Sequence, residues 1–163
     1  MIEKPKIILG VDPGFVAAGY AVLEKNHLQK IRLLELGSFN QKSSLGITPR
    51  IGAFYDFFRA KVDSCSASHL ALETPFLGKS AQNFMKLGYL RGVLNLISFQ
   101  QKINLLEYAP REAKAAVTGY GNADKDQVSK ALGVIFPEIK NLNLTKLDAT
   151  DALGIAFCAA MRI

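Results

Sequence analysis

The sequence has few of the side chains on which thiol and imidazole chemistry depends, with two cysteines and two histidines in 163 residues. Cys65 and Cys158 form no CxxC pair and no metal-ligand spacing, so neither a zinc site nor a disulfide framework is expected. Cys158 lies in an apolar stretch typical of a buried thiol. His27 falls in a predicted turn and His69 at the start of a predicted strand, and neither stands in a catalytic spacing. Any chemistry must therefore be sought among other side chains.

Long uncharged hydrophobic runs are also missing. No stretch approaches the ~18 residues that a membrane span needs, and the apolar run before Asp12 is too short for a signal peptide. Hydrophobic residues nevertheless make up 49% of the chain, which is enough for a sizeable core. We therefore expect a cytoplasmic protein that folds as a single domain over residues 1–163.

Negative charge is in the minority, since the formal net charge is +6 and the sequence pI is about 9.4. A basic globular domain suggests a polyanionic partner without identifying it. A basic protein with no such partner fits the charge alone equally well.

The hydrophobic pattern predicts an α/β fold. Three strands joined by short connections, at residues 6–11, 19–23 and 31–39, predict an antiparallel meander. A helix then begins at Thr48, with Thr48 as its cap and Pro49 in its first turn. A strand at residues 70–73, a helix at 81–101 and a strand at 103–108 come next. Three helices, at residues 110–117, 124–136 and 147–161, complete the chain. This order predicts a mixed five-stranded sheet, three antiparallel strands and then two parallel ones, flanked by helices.

Four carboxylates stand at the ends of predicted elements. Asp12 and Glu73 each follow an apolar strand, at the rim of the sheet where chemistry is commonly placed in such folds. Asp148 and Asp151 are three residues apart, which puts both on one face of the last helix. Taken singly, each has an ordinary explanation: Asp12 as a turn residue, Glu73 as a strand-end charge, and the last two as acids that complement a helix dipole.

Together the four acids favour a metal site. If the last helix packs beside the strand ends, the carboxylates meet and repel one another unless a cation is present. Mg²⁺ prefers oxygen ligands and is commonly shared between carboxylates and phosphate. Two such ions about 4 Å apart can activate a water and stabilise the leaving oxygen of a phosphodiester. The pattern therefore indicates metal-dependent cleavage of nucleic acid.

Six short segments, in order along nearly the whole chain, carry a family resemblance. The chain resembles the RuvC-type Holliday-junction resolvases of bacteria. The matching segments are Gly10-Val11-Asp12-Pro13-Gly14 with Gly19-Tyr20, Ala71-Leu72-Glu73-Thr74-Pro75-Phe76, Lys86-Leu87-Gly88 with Arg91-Gly92, Tyr108-Ala109 to Lys114, Gly119-Tyr120-Gly121 with Lys125 and Gln127-Val128, and Asp148-Ala149-Thr150-Asp151-Ala152-Leu153.

The resemblance implies an RNase H-like fold, a homodimer and paired Mg²⁺-dependent nicks in a four-way DNA junction during recombination and repair. It implies two Mg²⁺ ions per active site, with Mn²⁺ able to replace them, and a branch-migration motor as a partner. The family's catalytic and metal-binding acids map onto Asp12, Glu73, Asp148 and Asp151. Its base-contacting aromatic residue maps onto Phe76, and its active-site basic residues map onto Lys114 and Lys125.

Further basic residues are candidates for contacts with the DNA backbone. Lys79 could neutralise a phosphate in the same way as Lys114 and Lys125, and Arg91 and Arg111 are weaker candidates for that role. The alternative for the lysines is a solvated surface position, and for Phe76 it is a loop residue folded back on the core. Gly88 and Gly92, four apart on a long helix, fit either a partner helix or tight packing on the sheet.

Three other functions compete with junction resolution. Another RNase H-like nuclease, acting on RNA or other branched DNA, would share the four acids. A nucleotide-binding ATPase of the actin and Hsp70 type needs two related lobes, and 163 residues supply one. A DNA-binding module without catalysis fits the basic charge, but clustered acids would repel phosphate in the absence of metal.

Overall fold

Within the residues that the structure describes, the fold has five strands and five α-helices. The computed structural model describes residues 4–75, 80–141 and 147–163, without the side chains of residues 140, 141, 147 and 148. The strands are β1 (Lys6–Asp12), β2 (Ala17–Lys25), β3 (Ile31–Asn40), β4 (His69–Glu73) and β5 (Asn104–Tyr108). The helices are α1 (Ile47–Cys65), α2 (Ala81–Gln101), α3 (Pro110–Thr118), α4 (Lys125–Ile135) and α5 (Leu147–Arg162), with a 3₁₀ turn at Pro137–Asn141 before α5.

The strands form one mixed sheet in the order β3-β2-β1-β4-β5. The pairs β1–β2 and β2–β3 are antiparallel, and the pairs β1–β4 and β4–β5 are parallel. The predicted sheet of three antiparallel strands and two parallel ones is therefore confirmed. Within the described residues, no helix is both long and apolar enough to cross a membrane.

Helices cover both faces of the sheet, because the central strands alternate between two apolar faces. Ile8 and Ala71 belong to the core formed with α3, α4 and α5. Leu9 and Leu70 belong to the core formed with α1 and α2. All four are 0% exposed, and each fully buried leucine or isoleucine contributes about 1.5–3 kcal/mol. The strands that carry the candidate acids are thus fixed from both sides.

The start of α1 differs from the prediction. The helix begins at Ile47, with Gly46 as N-cap and no side-chain cap. The first helical hydrogen bond runs from the Arg50 N–H to the Gly46 carbonyl at 3.3 Å. The prediction that Thr48 caps this helix is therefore wrong, while Pro49 lies in the first turn as predicted.

Two strand bounds also shift for local reasons. The side-chain oxygen of Asn26 accepts hydrogen bonds from the N–H groups of Leu28 and Lys30, so the turn forms after Lys25 and β2 is longer than predicted. The Ile103 N–H donates to the Ser98 carbonyl and closes the end of α2. Consequently β5 begins one residue later than predicted.

Candidate active site

Asp12 and Glu73 end neighbouring parallel strands. The register pairs Val11 with Leu72, so the two acids occupy the next position on strands about 4.8 Å apart. Side chains alternate along a strand, and Glu73 therefore shares the face of Ala71, which packs in the core with α5. Both acids stand at the edge of the sheet where α5 begins.

A glycine in β1 lets α5 approach this edge closely. A Cβ at Gly10 would lie 2.5 Å from the backbone oxygen of Ala152 and 2.7 Å from the Cβ of Ala156. No larger residue fits between β1 and the helix at this crossing. Because Asp151 immediately precedes Ala152, the contact brings Asp151 to the strand ends. Glycine inside a strand is a sequence signal of close backbone approach, but the residues predicted for the site did not include Gly10.

Five of the residues predicted for the site line one cleft of about 220 Å³. They comprise three acids and two lysines: Asp12, Glu73, Asp151, Lys114 and Lys125. The rest of the lining is mostly apolar and comes from α3, α4 and α5: Pro110, Ala113, Val128, Thr150, Gly154 and Ile155. Residues distant in sequence thus meet where strand-end chemistry was predicted.

The carboxyl group of Glu73 is held in an unfavourable electrostatic setting. Burial raises the pKa of Glu73, and the nearby Asp151 carboxylate raises it further. The positive charges of Lys114, Arg91 and Lys125 act in the opposite direction. The net rise means that ionised Glu73 is destabilised here, so binding a cation beside it would be favourable.

Lys125 and Asp151, which both line the cleft, form an ion pair. Its Nζ lies 3.1 Å from Asp151 Oδ2, and the two side chains are 64% and 39% exposed. A capping box fixes the start of α4, since the Asp124 carboxylate accepts from the Gln127 N–H and the Gln127 amide oxygen accepts from the Asp124 N–H. An ion pair this exposed contributes only ~0–1 kcal/mol, and so it can be exchanged for another partner at little cost.

The donor set suits a hard divalent cation. The acids offer only oxygen ligands, and the desolvated Glu73 gains from a positive charge nearby. Among the described residues, however, no three His, Cys, Asp or Glu side chains are close enough to hold one ion. The three acids line the cleft without converging on one point, and Lys125 supplies positive charge beside Asp151. This arrangement fits an ion that is shared with a further ligand, such as a phosphate oxygen.

The remaining predicted site residues fall into two groups. Asp148 lies in the first turn of α5, one turn before Asp151, and its side chain lies outside the described part of the chain. Phe76 and Lys79 also lie outside the described residues. Their predicted roles stay predictions.

The two predicted arginine contacts differ in exposure. Arg111 is exposed in the first turn of α3, as a contact to DNA requires. The side chain of Arg91 is only 13% exposed. Its guanidinium donates to the backbone oxygen of Glu73 and to the carboxylate of Glu107.

The sheet order, with acids ending β1 and β4 beside the start of α5, is that of the RNase H-like fold. The chain belongs to the family described as "Crossover junction endodeoxyribonuclease RuvC", whose sequence model matches residues 8–159.

Individual comparisons agree with that assignment. The protein of this description from Chlorobium phaeovibrioides is 36% identical over 160 residues, covering 96% of this chain and 82% of the relative. The one from Prosthecochloris aestuarii is 40% identical over 152 residues, covering 93% and 80%. The structure of T. thermophilus RuvC in complex with Holliday junction substrate superposes with a TM-score of 0.82, covering 96% of each chain at 22% identity. At 22% identity the structural match supports a shared fold and nothing further.

Proposed function

We propose that this chain is a divalent-metal-dependent endonuclease that resolves four-way DNA junctions by symmetric paired nicks. The observation that carries the proposal is the cleft that Asp12, Glu73 and Asp151 line together with two lysines. Membership of a family named for crossover junction cleavage supports the substrate. The basic charge of the chain supports a polyanionic one.

The acids of the cleft hold the catalytic metal in this proposal. Asp12, Glu73 and Asp151, with Asp148 from the preceding turn of α5, bind Mg²⁺, two ions per site, and Mn²⁺ can replace it. When bound, such ions activate a water and stabilise the leaving oxygen of the phosphodiester. The protein contributes a rigid sheet edge for Asp12 and Glu73, and the Gly10 crossing that brings α5 to them.

The lysines of the cleft bind the DNA backbone. Lys114 and Lys125 project into the cleft from α3 and α4, where their ammonium groups can neutralise phosphates. The weak, exposed pair with Asp151 leaves Lys125 able to take a phosphate instead. Arg111, Lys79 and Phe76 extend the contact, with Phe76 stacking on an unpaired base at the junction.

A homodimer would form through the exposed face of α2. Apolar side chains recur along that face at helical spacing, and between them lie Gly88 and Gly92, where an added Cβ would meet no atom within 4 Å. The exposed fractions of the apolar residues are 62% for Met85, 48% for Tyr89, 48% for Leu96 and 82% for Phe99. A continuous apolar stripe of this kind marks a protein interface, and two copies supply the two cuts that resolution requires.

Substitution of one acid tests the mechanism. We expect Asp12→Asn to abolish cleavage of a four-way junction in Mg²⁺ while leaving junction binding intact, because the amide keeps the shape and loses the charge that binds metal. Asp56→Asn, an exposed acid on α1, is the matched control and should cleave normally. Retained cleavage in Asp12→Asn would remove that residue from the mechanism.

Substrate choice is tested separately. The wild-type protein should cut the junction in preference to linear duplex and to an RNA–DNA hybrid, and only when Mg²⁺ or Mn²⁺ is present. Equal cleavage of all three substrates would defeat the junction assignment while leaving nuclease activity in place.

A further inference from the structure

Arg91, a residue of α2, links the end of β4 to β5 through its side chain. One guanidinium nitrogen, Nη1, donates to the backbone oxygen of Glu73, and the other, Nη2, donates to Oε1 of Glu107. With its side chain 13% exposed, the cation is largely withdrawn from water, while Glu107 is 41% exposed. The planar fork of arginine can reach two acceptors at once, which the single ammonium of a lysine does less well.

The Glu73 carbonyl lies at the end of the parallel β-ladders, where the neighbouring strands supply no further backbone N–H donor. The last bond between β4 and β5 runs from the Thr74 N–H to the Tyr108 oxygen at 2.8 Å. Past β5, the Ala109 N–H donates to the side chain of Glu112, and the next residue is a proline, which has no N–H. Past β1, the next residue is also a proline. A carbonyl that is partly buried needs a partner, and Arg91 supplies the donor that neither neighbouring strand continues to provide.

We propose that Arg91 is a positioning residue that fixes the last peptide of β4 and thereby holds the Glu73 carboxylate toward the metal. The guanidinium grips the backbone of the same residue whose side chain lines the cleft. Its second hydrogen bond, to Glu107 of β5, links the same guanidinium to the strand that precedes α3, the helix that carries Lys114. Arg91 therefore acts through Glu73, and its guanidinium binds acceptors within the protein instead of a DNA phosphate. The inference rests on the proposed metal-dependent nuclease function.

Metal affinity is the first readout. Groups that orient a metal ligand typically change affinity or activity by about 10–100-fold when they are removed. We expect Arg91→Gln to weaken Mn²⁺ binding by about tenfold or more, measured on DNA-free protein by calorimetry or by Mn²⁺ electron paramagnetic resonance. Arg32→Gln is the matched control, since Arg32 is 68% exposed in a surface ion pair with Glu24. This control should bind Mn²⁺ as the wild type does.

The salt dependence of junction binding separates positioning from DNA contact. Each phosphate contact contributes about −0.9 to the slope of log K against log salt on duplex DNA. In metal-free buffer, Arg91→Gln should keep both the wild-type slope and, within about twofold, the wild-type junction affinity. A slope reduced by about 1 with unchanged Mn²⁺ binding would make Arg91 a phosphate contact and overturn the inference.

Two further variants keep the test decisive. Glu107→Gln retains an acceptor oxygen for Arg91 and leaves the bond to Glu73 in place, so it should bind Mn²⁺ within about threefold of wild type; an effect as large as that of Arg91→Gln would overturn the inference. If Arg91→Gln does not fold, Arg91→Lys decides, with weaker Mn²⁺ binding in a folded protein expected and unchanged binding contradicting it. Failure of the wild type itself to bind metal and cut junctions would instead count against the proposed function.

Discussion

The crossing of α5 over β1 makes a sharp prediction for Gly10→Ala. The added methyl carbon would lie 2.5 Å from the Ala152 oxygen and 2.9 Å from the Ala156 nitrogen, where ordinary contacts begin at 3.4 Å. Both nearest backbone atoms belong to α5, so the clash cannot be relieved by turning a flexible side chain. The helix must move away from the sheet by about 1 Å, and Asp151 moves with it.

The shift should reduce both stability and catalysis. Overpacking a core typically costs about 1–3 kcal/mol, which for a chain of this size lowers Tm by roughly 2–10 °C. A displacement of about 1 Å at reacting groups can cost on the order of 100-fold in rate. We therefore expect Gly10→Ala to cut junctions about 100-fold more slowly, at a temperature where calorimetry shows it fully folded.

A second glycine provides the control. Gly52 lies on α1, where an added Cβ meets nothing within 4 Å. Gly52→Ala should cleave normally and keep or raise Tm, since alanine is favoured in a helix by ~1 kcal/mol over glycine. If Gly10→Ala cleaves and melts like the wild type, the packing distance between α5 and β1 does not set the geometry of the acids.

Two other predictions concern charge and assembly. Burial and Asp151 raise the pKa of Glu73, so the folded protein loses stability as pH rises from the ordinary glutamate pKa through the raised one. Glu73→Gln should therefore abolish cleavage yet raise the metal-free Tm at neutral pH. Melting curves between about pH 4 and pH 8 check this, and a lower Tm at neutral pH would contradict it. Leu96→Asp on α2 should convert the proposed dimer to a monomer in sedimentation velocity, whereas Val134→Asp, at a 74% exposed position on α4, should not. An unchanged mass for Leu96→Asp would exclude this face.

The sheet could be predicted from the sequence because its central strands are buried on both faces. The apolar run before Asp12 and the shorter one before Glu73 had to be strands that end together, and the structure pairs Val11 with Leu72 accordingly. The cap of α4 at Asp124 was also predictable, since a side-chain cap leaves a mark in the sequence. The start of α1 left no such mark, because its N-cap is Gly46 and its first bond uses only backbone.

The cleft was harder to predict than the strands that form it. Sequence spacing indicates that an acid ends a strand, but the distance between that strand and the last helix of the chain depends on packing at Gly10. Likewise, sequence shows that Arg91 carries a charge, but not whether that charge faces water. Its 13% exposure and its bond to the Glu73 carbonyl set it apart from the exposed Arg111.

The charged side chains of the cleft are arranged for binding a cation and a phosphate, and this arrangement does not favour the stability of the metal-free protein. A protein selected only for a stable fold would not bury Glu73 within range of Asp151, since both effects raise the energy of the ionised side chain. Nor would such a protein rely on Lys125 to neutralise Asp151, because their exposed ion pair contributes little to the stability of the fold. A divalent cation would relieve the repulsion between the acids, and a phosphate would take the lysine that the cation releases. The same unfavourable charges that weaken the metal-free fold thus make joint binding of metal and DNA favourable.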